Sequence, residues 1–220
     1  MNPPDYLLAA TRALEVLRDY NITSAPVDPL PIIKNWPGVF VVSFGEMSEY
    51  LGINRENLVS VCGEGNQDAV TCVQIDGDSV RYVVAYNQQL PLYLVNRALA
   101  RELGHIVLGH DGTRPDDVRI QEARCFAQNL LSPRPLIHAI QAMNLRLTTE
   151  LFGNVTGCFD YCLSCMRRMP GVSVPAELNR AVRDQFKPYL MNLFEYQRIA
   201  TKKDGSALAD LGTFMDGYVE

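Results

Sequence analysis

Two of the three histidines in this 220-residue chain fall in one ten-residue run, RELGHIVLGH from Arg101 to His110, with Glu102 three positions before His105. Zinc hydrolases place two imidazoles four residues apart on one helical face. A glutamate beside the first deprotonates the metal-bound water, giving the pattern His-Glu-x-x-His. Here the first position holds Arg101. A guanidinium carries five donors, no free lone pair and a permanent charge, so Arg101 cannot ligate and repels a divalent cation. On a continuous helix five residues advance about 500°, leaving His110 roughly 140° from His105. Only a helix ending at Gly109 would swing it back. His110 is therefore expected as a last-turn histidine favoured by the helix dipole or bonded to the following loop. Asp111, Asp116 and Asp117 read as loop or capping residues, and His138 as a polar surface or edge residue.

The six cysteines divide in two. Cys62, Cys72 and Cys125 are expected as small buried hydrophobes. Cys158, Cys162 and Cys165 have the Cys-x-x-x-Cys-x-x-Cys spacing that can hold an iron–sulfur cluster in a loop. Their positions also form one face of a helix over Thr156 to Met169, and the buried stripe is the expectation. A chain of this length buries its own core without disulfides.

Elements that would position these groups follow from periodicity and punctuation. Asn2 as cap and Pro3-Pro4 as first turn open a helix to Tyr20, with Leu7, Ala10, Leu14 and Leu17 recurring at helical spacing. Asp28 caps and Pro29 opens a short helix that stops by Trp36. Gly38 to Phe44, Leu58 to Cys62, Thr71 to Asp76 and Ser79 to Tyr86 read as strands, with Asp76-Gly77 as a hairpin turn. From Pro91 the period becomes helical: Leu94, Ala98, Arg101, His105 and Leu108 share a side up to Gly109. A second helix, capped near Asp116 or Asp117, runs to Leu131, with Phe126, Leu130 and Leu131 as core. Further helices are expected at Pro133 to Met143 and Glu177 to Lys203, the latter interrupted at Pro188. The expected fold is α+β, a small antiparallel three-stranded sheet packed on zincin-type helices, divided into residues 1–170 and a helical extension over 171–220.

RELGHIVLGH, followed by QEARCFAQNLLSP from Gln121 to Pro133, resembles the ImmA/IrrE metallopeptidase-like family. Its signature is HELGH, then Gly-His, then a Glu-Ala pair heading FAxxLLxP. The resemblance implies Glu102 as general base, His105 and Glu122 as zinc ligands, and Arg101 at the position of the first metal histidine. Two protein ligands then remain where catalytic zinc has three. It also implies a role beside a helix-turn-helix repressor of a mobile element or stress-response operon. With the first ligand lost, the leading expectation is a degenerate metal site and function by partner binding. In that reading Arg101 replaces the cation and pairs with Glu122 or Glu102. The competing expectation is an active zinc-dependent endopeptidase cleaving such a repressor through His105, Glu122 and an unusual third ligand. A third places function in the helical tail. The strand Ser79 to Tyr86 stands where zinc proteases offer an edge to extended substrate.

Composition narrows the field. Hydrophobic residues at 47% and charged residues at 20% are ordinary globular values, and a net charge of −5 supplies no positive field for nucleic acid or an anionic membrane. No apolar run reaches the ~18 residues of a membrane span, and no amino-terminal signal pattern is present. A cytoplasmic protein binding a protein partner or peptide substrate is expected.

Overall fold

The computed structural model describes residues 3–54, 68–76, 79–111, 113–143 and 173–203. The expected strand Leu58 to Cys62, Gly77 of the expected Asp76-Gly77 turn, and the expected helix Thr156 to Met169 with its three cysteines lie outside the described residues. In chain order the elements are α1 (Tyr6–Asp19), α2 (Pro29–Lys34), β1 (Val39–Ser43), α3 (Phe44–Leu51), β2 (Ala69–Asp76), β3 (Ser79–Tyr86), α4 (Leu92–Val107), α5 (Asp116–Leu131), α6 (Arg134–Met143), α7 (Ala176–Gln185) and α8 (Lys187–Lys203). The fold is α+β, as expected.

Three local expectations are corrected. Helix α1 is capped by Asp5, whose side chain accepts from the Leu8 amide, so Asn2 is not the cap; Pro3 and Pro4 stay outside the helix. Its buried face is Ala9, Ala10, Ala13, Leu14, Val16 and Leu17, with Leu7 exposed. Helix α3 was not foreseen: Ser43 ends β1 and starts a capping box in which its hydroxyl accepts from the Glu46 amide and Glu46 accepts from the Ser43 amide. Helix α5 begins after Pro115, so Asp116 and Asp117 are first-turn residues, favoured there by the dipole, not caps. The Asp28 cap of α2 is as expected.

The sheet is mixed, not antiparallel. Its order is β1-β3-β2, with β2 antiparallel to β3 and β1 parallel to it. The hairpin register pairs Asp76 with Ser79, whereas β1 is separated from β3 by α3 and β2 and joins in the same direction as β3. Among the described residues strand β3 is consequently central, and the edge next to the motif helix is β2, not Ser79 to Tyr86. One face of the sheet, carrying Val39, Tyr82, Val84 and Tyr86, packs into the main core with α1, α2, α4 and α5. The other is covered at one end by Phe44 and Met47 of α3 over Ala85 and Val70. Cys72 lies on that second face and is exposed, contrary to expectation, while Cys125 is buried.

Helix α4 packs on α5, and α5 on α1. The core side of α4 is Val95, Leu99, Leu103 and Ile106 together with Ala98, a stripe rotated from the one expected. Beyond the anticipated boundary, Val174, Leu178, Val182, Phe186 and Leu190 belong to the same apolar cluster as α1. The Gln185 amide donates to the carbonyls of Leu17 and Ile22, both at 2.7 Å, satisfying the end of α1. Lys187-Pro188 opens α8 immediately after Phe186 caps α7, a position where the missing proline amide costs no helical bond. Among the described residues, no helix is long and apolar enough to cross a membrane.

The contact that sets α4 against α5 is at Gly104, where a Cβ would meet Phe126 Cδ1 at 3.0 Å and the Ala123 carbonyl oxygen at 3.1 Å. Phe126 is fully buried and the carbonyl belongs to a 16-residue helix, so neither yields easily. Overpacking by one methyl costs ~1–3 kcal/mol, against ~1 kcal/mol regained in helix propensity. Gly104→Ala is accordingly expected to lower stability by up to about 2 kcal/mol in denaturant melts, and a raised midpoint would mean that the two helices are free to part.

Candidate functional site

Helix α4 carries Arg101, Glu102 and His105 because the run from Leu92 to Val107 contains no proline and its one glycine, Gly104, is held by close packing on α5. It stops where Gly109 takes φ +64°, a left-handed conformation suited to glycine. The Gly109 amide then donates to the Ile106 carbonyl and the His110 amide to the His105 carbonyl. That single turn overturns the helical extrapolation for His110. Its ring folds back onto His105, with the two Nδ1 atoms 2.9 Å apart and the rings at 71°. Its Nε2 lies 3.0 Å from Glu122 Oε2, and the His110 and Glu122 side chains are each 2% exposed.

Glu122 projects from the second turn of α5 into four donor contacts. Its Oε1 accepts from the Asp5 amide at 2.7 Å and from Arg114 Nη1 at 2.8 Å; its Oε2 faces the same Arg114 nitrogen at 3.0 Å and His110. Burial raises the carboxyl, but the Asp5 amide, His110 and Arg114 together outweigh it and hold Glu122 below the ordinary glutamate value. The amino terminus of α1, the turn after α4, the loop before α5 and α5 itself thus meet at one anion.

Glu102 belongs to a second cluster on the sheet side. Its Oε2 accepts from Thr71 Oγ1 of β2 at 2.8 Å, and its Oε1 from Arg101 Nε at 3.3 Å and Nη2 at 3.2 Å. Burial pushes this carboxyl up, with Arg101 and Thr71 opposing. Arg101 therefore pairs with Glu102, one of its two expected partners; the cation on Glu122 is Arg114. His105 is lowered to about 4, first by burial and then by repulsion from His110, Arg101 and Arg119. His110 is lowered by burial, partly offset by Glu122.

The remaining sequence candidates lie apart. Asp111 is exposed and accepts from the amide and hydroxyl of Thr113, a local turn. Asp116 pairs with Arg119. His138 is exposed on α6. Sequence reading missed Thr71, Arg114 and the Asp5 amide. The first two belong to other elements and carry no spacing relation to the motif. Arg114 was signalled only by its place between the histidine turn and Pro115.

No family model, curated protein or solved structure matches this chain. What the site can do must therefore be read from its own atoms.

The donor types are those of a two-histidine, one-carboxylate zinc site, but their arrangement is not. The ring Nδ1 atoms face each other, both Glu122 oxygens are engaged by donors, and Arg114 already neutralises the carboxylate. Among the described residues, no group of three or more His, Cys, Asp or Glu is placed to hold a metal ion.

The depressed His105 value fixes a pH dependence. In the unfolded chain its imidazole titrates near the ordinary histidine value of 6.5, and in the fold at about 4. Between those values the unfolded state binds more protons, so stability rises with pH across the window and is lost as pH falls through it. Glu122 adds a loss in the same direction at still lower pH. In metal-free protein, the His105 ring resonances are expected to titrate with a midpoint near 4, with acid destabilisation beginning below ~6.5. A midpoint near the ordinary histidine value would mean that the ring is open to solvent.

Proposed function

We propose that this chain is an ImmA/IrrE-type peptidase-fold protein with a degenerate metal site, which binds an extended segment of a protein partner without hydrolysing it. One observation carries the reading: the carboxylate that the resemblance assigns to zinc, Glu122, has both oxygens on the Arg114 guanidinium. A zinc hydrolase must hold its metal firmly enough to bring the bound water's pKa toward ~7 while a carboxylate takes the proton. Here the proton-accepting candidate, Glu102, is held by Arg101 and Thr71, so each carboxylate is neutralised by an arginine.

Partner binding is supported by the strand beside Glu102. The outer side of β2 pairs with no strand among the described residues, and Val73 and Ile75 are 52% and 73% exposed on the face that carries Thr71. An open edge with apolar positions at alternate residues suits β-addition of an extended segment. The net charge of −5 favours a basic partner, in keeping with the helix-turn-helix repressor that the resemblance implies, and disfavours direct contact with nucleic acid.

A second reading, an active zinc endopeptidase cleaving such a repressor, is favoured by the placement of His110 within 3.0 Å of both His105 and Glu122, which supplies an imidazole in place of the one lost at Arg101. Metal content and hydrolysis separate the two. Protein purified without chelator is expected to contain no stoichiometric zinc and to leave an unfolded protein substrate intact, whereas Arg101→His combined with Arg114→Ala is expected to take up one zinc per chain. Chelator-sensitive hydrolysis by the unmodified chain, restored by zinc, would replace the first reading with the second.

A further inference from the structure

We infer that Glu122 is a positioning residue: through His110 it holds the His105 ring as the neutral Nδ1–H tautomer, leaving His105 Nε2 as a bare lone pair that accepts an N–H or O–H from a bound chain. The binding half of this statement rests on the partner-binding reading; the tautomer does not.

The assignment follows from counting protons along one line of contacts. Glu122 Oε1 accepts from the Asp5 amide and from Arg114, and Oε2 also faces Arg114. An amide N–H and a guanidinium can only donate, so the surroundings of this carboxyl favour its charged, acceptor-only form. The proton in the 3.0 Å contact between Oε2 and His110 Nε2 therefore resides on the nitrogen. A neutral imidazole has one N–H, and once it is on Nε2 the Nδ1 of His110 is an acceptor. That Nδ1 lies 2.9 Å from His105 Nδ1, so the proton of this second contact belongs to His105. By the same rule the other nitrogen of His105, Nε2, carries none.

The competing arrangement puts two protons on His110 and reverses the second bond, making His105 Nε2 a donor. It requires a charged imidazolium with 2% side-chain exposure; burial disfavours that charge most, Glu122 favours it, and Arg119 and Arg114 oppose it, with the net effect against the charged ring. Glu122 is thus one imidazole removed from the group it orients. A carboxylate that accepts one ring N–H of a histidine fixes which nitrogen carries the proton; Glu122 does this for His110, and His110 Nδ1 does it in turn for His105. His105 and His110 are both partly buried as residues, and the His110 and Glu122 side chains are each 2% exposed; the line of contacts ends at His105, so Nε2 of that ring is the nitrogen left to meet a bound group.

The test uses ¹⁵N-labelled, metal-free protein at neutral pH, in which long-range imidazole spectra read each nitrogen directly. His105 is expected protonated at Nδ1 and bare at Nε2, and His110 protonated at Nε2. A His105 protonated at Nε2, or at both nitrogens, overturns the inference and leaves the partner-binding reading to its own metal and hydrolysis tests. Glu122→Gln places an amide donor against His110 Nε2. It is expected to reverse the line, giving His110 Nδ1–H and His105 Nε2–H; an unchanged tautomer in the folded variant removes Glu122 from the positioning role. Should that variant not fold, His110→Ala serves instead. It deletes the acceptor and is expected to release His105 from a single tautomer, and retention of a pure Nδ1–H form overturns the relay. Availability of Nε2 is read on the unmodified protein with diethyl pyrocarbonate, which acylates bare imidazole nitrogens. Modification is expected at His105 and at exposed His138 but not at His110, and an unreactive His105 overturns the acceptor role.

Discussion

A carboxylate with 2% of its side chain exposed is tolerable only if donors replace the water it has lost, since an uncompensated buried charge costs several kcal/mol. Glu122 meets that requirement from three separate stretches of chain: the Asp5 amide at the start of α1, His110 from the turn after α4, and Arg114 from the loop before α5. The requirement works in both directions. The carboxylate ties down the ends of elements that apolar packing alone would leave free to fray, and those ends hold the carboxylate ionised. Asp5 is doubly engaged, since its side chain caps α1 while its own amide serves Glu122. The same residue therefore fixes where α1 begins and where it points.

Two arginines complete the charge balance, and their division of labour is specific. Arg101 lies along α4 against Glu102, its neighbour in sequence, and Arg114 reaches Glu122 from outside with its side chain 49% exposed. A half-exposed guanidinium contributes less attraction than a buried one, because water screens it. The hydrogen bonds from the Asp5 amide and His110 carry more of the load at Glu122 for that reason. On the sheet side, Glu102 has only Thr71 and Arg101 against a burial that disfavours its charge. The two carboxylates consequently sit on opposite sides of the ordinary glutamate value, one held down and one pushed up, although both are neighbours of an arginine.

Much of this frame was legible in the sequence, for reasons that differ from residue to residue. The Asp28-Pro29 cap, the β2–β3 hairpin and the helical run through RELGH depend on contacts within a few residues, and local chemistry decides them. Helix α3 was equally local: Ser43 and Glu46 form a capping box that the β-branched run before it obscured. The direction of β1 was not legible, because alternation marks a strand without saying which way it joins a sheet. His110 shows how a correct periodicity misleads. Its offset from His105 on an ideal helix was sound, but Gly109 at φ +64° changes the phase of the chain by one residue's worth of backbone, and a ring destined for the far side returns to the near one. Thr71 and Arg114 reach their carboxylates from separate strands and loops, where spacing in sequence carries no information.

The chemical character of the pocket follows from what its arginines leave over. Arg101 and Arg114 have their carboxylates, and Arg119 is engaged with Asp116 and the Arg114 carbonyl. Their positive field still reaches the rings, which is one reason His105 stays neutral. A neutral imidazole amid paired cations is a weak base and a poor anchor for a further cation, yet it remains a competent hydrogen-bond acceptor. In the proposed reading, an extended segment lying along the side of β2 that pairs with no described strand presents alternating amide donors and carbonyl acceptors beside Thr71, the strand's link to Glu102. The proposed binding without hydrolysis is consistent with this balance: the guanidinium groups that neutralise both carboxylates leave, in the inferred tautomer, an uncharged acceptor for a peptide amide.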